Sequence, residues 1–211
     1  MRKLFVATIL VACSAAFVSA QDTSKFEVFG GFSINSWDTG FQNTRFTDAS
    51  NRETGLGFET SVTGFFSKGL GVEGDFDGHF KSKTFAFQVG PLAPVILIDT
   101  KLRSYNFMAG PHFRFASSSN ITPFVHALFG GNHSSLSNAS PITGPGAGTS
   151  DTDFAMKFGG GVDFGVSKHL GVRVAGDYNP IFQKSDDSLN PNFGNSRTRN
   201  DAVFSVGIVF K

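Results

Sequence analysis

Cysteine is nearly absent from this 211-residue chain, and Cys13 is the single one. No disulfide framework can staple the fold, so stability must come from burial or from a membrane. Charge is scarce too, at 17% against the usual quarter. One Trp and two Tyr stand against 26 Phe. After the first twenty residues, no apolar run is long enough to cross a bilayer as a helix. The apolar residues are many but dispersed.

The first twenty residues, MRKLFVATILVACSAAFVSA, follow another logic. A basic start at Arg2 and Lys3, an apolar run and a small-residue end at Val18-Ser19-Ala20 predict a secretory signal peptide over 1–20, cleaved after Ala20. The alternative is lipoprotein processing at Leu10-Val11-Ala12-Cys13, with Cys13 acylated. Without Arg2 and Lys3 the 18 basic residues fall to 16 against 17 acidic ones, a net charge of −1. That balance gives no reason to expect nucleic acid as a partner. The remaining stretch, 21–211, fits one domain.

Within it the apolar period is two. In LGFETSVTGFF, Leu56, Phe58, Val62 and Phe66 alternate with Gly57, Glu59, Ser61 and Thr63. In LGVEGDFDGHF, Leu70, Val72, Phe76 and Phe80 alternate with Glu73, Asp75, Asp77 and His79. Such alternation predicts strands with one apolar and one polar face. Eight segments read this way. Tyr105 to Phe115 sets aromatics opposite His112 and Arg114, and Phe154 to Val166 sets them opposite Lys157 and Asp163. Leu170 to Tyr178 opposes Arg173 and Asp177, and Ala202 to Phe210 opposes Asp201 and Ser205. The segment around Val125 is less regular, because Phe124 and Leu128 share the face of His126. The apolar series carry no charge, as a lipid-facing surface requires.

The connections alternate in length. Ser67–Gly69, Ala116–Asn120 and Ser167–His169 are short, whereas Asp38–Glu53, Ser82–Lys101, Ser134–Asp151 and Gln183–Thr198 are long. Short turns on one rim and long loops on the other predict an all-β, eight-stranded antiparallel up-and-down transmembrane β-barrel. The phrases SKGLGVEGDF from Ser67 and SKHLGVRVAGDY from Ser167 are then one tight turn and rising strand, used twice.

On these residues the chain resembles the small bacterial outer-membrane β-barrels of the outer-membrane protein A and X type, a porin-like family. The resemblance rests on the leader, the two SKxLGV hairpins, Gly110-Pro-His-Phe-Arg-Phe115 and the closing Phe204-x-Val206-x-Ile208-x-Phe210. It implies an integral protein of the outer membrane of a Gram-negative cell, monomeric, with four loops facing out. The last strand, ending at Phe210, looks like the signal that the barrel assembly machinery reads, although Lys211 follows the aromatic. The alternative fold is a soluble lipocalin-like barrel, with polar faces outward and an apolar pocket.

An eight-stranded barrel has an interior that side chains can fill. Glu59, Glu73, Asp75, Asp77, His79, Arg114, Lys157, Asp163, Arg173 and Asp177 are expected there. They either pair as an ion network that seals the lumen or line a narrow ion path, for which inward glycines such as Gly57, Gly159 and Gly207 would leave room. A lipid A-modifying enzyme is a remoter alternative: His133 and Ser135 could pair as base and nucleophile, but the hydrolases' motif continues with Asn where this chain has Leu136. Gly144 to Ser150 lacks the lysine of a phosphate loop, and Asp75-x-Asp77 lacks calcium-loop spacing. No cofactor or metal site is expected. The apolar stretch Phe85 to Ile98 is expected to cap the barrel mouth or to offer a partner surface. The reading is a non-enzymatic outer-membrane barrel with a structural or surface-interaction role through its loops.

Overall fold

The computed structural model describes residues 25–38, 52–87, 96–115, 120–140, 144–185 and 195–211. The expected signal peptide and Cys13 lie outside these residues. Eight strands follow one another: β1 (Phe26–Asp38), β2 (Arg52–Phe65), β3 (Leu70–Phe87), β4 (Ile96–Arg114), β5 (Ile121–Ser140), β6 (Gly144–Gly165), β7 (Leu170–Gln183) and β8 (Arg197–Phe210). Each pairs antiparallel with its sequence neighbour, and β1 pairs with β8 from Val28↔Phe210 to Ser36↔Ala202, which closes the barrel. Closure leaves no free sheet edge, which a structure spanning lipid needs.

The alternation in sequence becomes an inside and an outside. Phe32, Phe58, Val62, Phe107, Phe129, Phe158 and Phe204 are exposed on the outer wall, while Glu59, Glu73, Asp77, Asn106, Lys157 and Arg173 are buried within. A lipocalin would place these two sets the other way round. The irregular segment resolves simply: Phe124, His126 and Leu128 all point inward, and Val125 and Phe129 outward.

The repeated phrase forms the same turn twice. The backbone N–H groups of Phe66 and Ser67 donate to the Leu70 carbonyl at 3.2 and 3.3 Å, and those of Val166 and Ser167 donate to Leu170 at 2.9 Å each. The glycine after each leucine serves strand approach. A Cβ on Gly71 would lie 2.7 Å from the Gly64 carbonyl oxygen, and one on Gly171 would lie 3.0 Å from that of Phe164.

Two expected loops are in large part strand. Pairing of β3 with β4 continues to Phe87↔Ile96, inside the apolar stretch at 85–98. Pairing of β5 with β6 continues to Ser140↔Gly144, with a bulge between Ser137 and Ala139, so the Gly144–Ser150 stretch belongs to β6. These strands have 18, 19, 20 and 22 residues. Crossing the bilayer takes about 9–11, so both hairpins rise well beyond it. The connections at 39–51 and 186–194 lie outside the described residues.

Candidate functional site: the packed lumen

Period-two strands deliver a side chain to the lumen at every second position, and the register decides which ones meet. Nearest the short turns, Glu27 on β1 accepts from Arg114 and, at 3.0 Å, from Arg173 Nη2. Arg173 also forks onto Asp163, Nε to Oδ1 at 2.7 Å and Nη2 to Oδ2 at 3.0 Å. Lys211 Nζ lies 3.1 Å from Asp163 Oδ2. The guanidinium carbons of Arg114 and Arg173 each sit 4.3 Å from a ring centroid, Phe65 and Phe124 respectively. Bidentate and aromatic contacts of this kind suit arginine, not lysine.

One step further in, Oε2 of Glu73 faces two histidines, His112 Nδ1 at 2.7 Å and His126 Nδ1 at 2.9 Å. The other nitrogen of His126 lies 2.9 Å from Asp177 Oδ1. His112 and His126 are direct cross-strand partners on β4 and β5. Phe124 stacks on the His112 ring at 4.9 Å and Phe65 meets it edge-on at 5.6 Å.

At mid-height Lys157 on β6 reaches across to β2 and β3. Its Nζ donates to Asp75 Oδ1 at 2.5 Å and Asp77 Oδ2 at 2.7 Å, and lies 3.4 Å from Glu59 Oε1. An ammonium has three N–H groups, and here each faces a carboxylate. Asp77 Oδ1 also accepts from Asn106 Nδ2 at 2.8 Å and lies 3.1 Å from His79 Nδ1, while His79 Nε2 lies 2.8 Å from Ser33 Oγ. On the neighbouring wall Met108, Leu128, Ala155 and Ile181 form a buried apolar cluster. Above it, Asn132 donates to Asn106 Oδ1 and Ser104 Oγ at 2.7 and 2.8 Å. Arg199 donates to Asp201 at 3.1 Å.

All ten lumen residues named from sequence therefore point inward, distributed over three groups. Glu27, His112, His126 and Lys211 complete these groups, Arg199 and Asp201 form a separate pair, and none of the six was among the ten. Glu27 carries a simple signal, since it stands between outward Phe26 and Val28. Four of the inward glycines serve close strand approach. A Cβ on Gly57, Gly159, Gly161 or Gly207 would collide with the backbone of the adjoining strand.

His133 and Ser135 fall within strand β5, not in a loop. His133 Nδ1 lies 2.8 Å from Thr152 Oγ1 on β6. The ring is thus tied to a threonine across the strand pair rather than to Ser135.

The sequence profile of the outer membrane protein beta-barrel domain matches residues 5–210. No curated protein sequence matches the chain. Among solved structures, the Neisserial surface protein A superposes with a TM-score of 0.57 at 15% identity, over 90% of this chain and 99% of that one. Ail, the attachment invasion locus protein of Yersinia pestis, does so at 0.51 and 16%, over 89% and 99%. Ail in complex with the heparin analogue sucrose octasulfate gives 0.52 and 18%, over 88% and 96%. At such identities the likeness is one of fold. Together with the apolar outer wall and the closed eight-strand circuit, the profile match places the chain in the bacterial outer membrane, as a member of the outer membrane protein beta-barrel domain family.

Proposed function

We propose that this protein is a non-enzymatic, non-conducting outer-membrane barrel that works as a surface-interaction element through the hairpins above the membrane. The observation that carries the reading is the division of the molecule. Paired charges fill the lumen, with Lys157, Asp77 and His79 fully buried. The β3–β4 and β5–β6 hairpins meanwhile extend about ten residues per strand beyond what a bilayer needs. The Ail complex with sucrose octasulfate offers a precedent for a barrel of this fold engaging a surface ligand. A single monomeric chain suffices, because the barrel closes on itself. Export by cleavage after Ala20, and handling by the barrel assembly machinery through the strand ending at Phe210, complete the proposal.

The test is display on outer-membrane vesicles, with binding to immobilised heparin and to a cell-matrix surface measured. The comparison is with a chain in which 84–99 is replaced by a short glycine-serine turn. Wild-type vesicles should bind above empty ones, and the shortened chain should lose that binding while still showing the gel shift of a folded barrel. Folded wild type that binds no better than empty vesicles on either surface would leave only the structural role.

A further inference from the structure

We infer that Glu73, His112 and His126 form a binding site for a first-row divalent transition metal inside the barrel, with Asp177 holding His126 in the ligating tautomer. One donor atom from each of the three lies within 4.8 Å of the others, and all three residues are buried. They come from three adjacent strands, β3, β4 and β5, and register sets the two histidines directly opposite each other.

The donor geometry makes the case. His126 Nε2 sits 2.9 Å from Asp177 Oδ1, which places a proton on that nitrogen. In the neutral ring Nδ1 is then a bare lone pair, yet it faces Glu73 Oε2 at 2.9 Å. His112 Nδ1 faces the same oxygen at 2.7 Å. One oxygen thus has two ring nitrogens at contact distance, an arrangement completed by protons on the rings or by one shared cation. A metal ion supplies that cation with neutral rings, and its two charges offset those of Glu73 and Asp177. A carboxylate on the far nitrogen of a ligating histidine is the usual way such rings are oriented and made more basic. His112 Nε2 is buried without a hydrogen-bond partner among the described residues, so no contact there locks that ring against ligation. Phe65 and Phe124 pack on the same ring.

Two imidazole nitrogens and one carboxylate oxygen suit Zn²⁺, Co²⁺, Ni²⁺ or Cu²⁺; Ca²⁺ and Mg²⁺ prefer oxygen alone. Bonds of about 2.0–2.2 Å require the donors to settle roughly 3.4 Å apart. Glu73 must therefore back away slightly as the two rings close in. Each Nδ1 that carries a proton gives it up on loading.

Because the site is buried, the metal should be supplied during refolding of the full barrel from urea, followed by desalting. Zn²⁺ per folded barrel is then measured, and a Co²⁺-loaded sample is examined for tetrahedral ligand-field absorption. Wild type should retain one Zn²⁺ per chain. E73Q and H112F, which keep shape and packing, should lower retention at least tenfold. D177N should weaken binding about 10–100-fold. H133A and H169A, which alter the two histidines at the rims, should bind as wild type does. Folded wild type that retains no Zn²⁺ and shows no Co²⁺ bands overturns the inference. So does a folded E73Q barrel that retains as much metal as wild type.

Discussion

Lys157 on β6 and Asp75 on β3 meet across the lumen, Nζ to Oδ1 at 2.5 Å, and neither side chain is exposed to solvent. The pair joins strands that share no backbone hydrogen bonds. Removing the ammonium leaves Glu59, Asp75 and Asp77 facing one another without a counter-charge. K157M should lower stability by about 3–5 kcal/mol, as expected for a buried pair broken on one side. The quadruple change K157M/E59Q/D75N/D77N should recover most of that loss. Urea unfolding in detergent, followed by the gel shift, checks both, and equal midpoints for wild type and K157M would refute it.

The same packing predicts electrical silence. In a planar bilayer the folded barrel should show no discrete steps, and R114A should stay silent. Arg173 and Lys211 still contact Glu27 and Asp163 when Arg114 is gone. Reproducible single-channel steps from the wild type would sink the sealed-lumen reading.

Close strand approach at the closing pair of strands gives a third expectation. A Cβ on Gly207 of β8 would strike the backbone of Gly30 and Gly31 on β1, whereas one on Gly74 meets nothing within 4 Å. G207A should therefore cost about 1–3 kcal/mol. G74A should gain about 0.5–1 kcal/mol, since alanine loses less chain freedom than glycine on folding. Unfolding midpoints of the two variants should move in opposite directions.

The outer wall should show a depth dependence. Phe107 lies midway along the lipid-facing row of β4 and is 58% exposed to the surroundings, while Phe115 lies just past the strand end. Arginine at 107 should cost about 2–4 kcal/mol, and at 115 only about 0–1. Equal penalties at the two positions would contradict a lipid-facing row with Phe107 deep in the bilayer and Phe115 at its edge.

The fold was largely legible because lipid imposes a strict alternation, and residues such as Phe58, Glu59, Phe76 and Asp77 obey it. That signal vanishes above the bilayer, where both faces of a strand are wet. Ser134 to Asp151 therefore reads as loop although pairing continues to Ser140↔Gly144. The partners within the lumen were not legible either. Which inward residue meets Lys157 depends on the stagger of eight strands and on closure, and no local pattern encodes that. The pairing of His112 with His126 is a case in point: the alternation set His112 opposite the aromatics but was irregular around His126, and their meeting is a property of register.

The crossing contact of Lys157 has a mechanical meaning. Backbone hydrogen bonds run around the barrel and set its circumference, but a hoop of fixed circumference can still be squashed into an ellipse. Lys157 with Glu59, Asp75 and Asp77 runs across the hoop as a spoke, and Arg173 with Glu27 braces β7 to β1 past the intervening β8. A spoked ring keeps its round section under uneven lateral pressure. The hairpins standing on its outer rim thereby keep fixed positions relative to one another, whatever the surrounding lipid does.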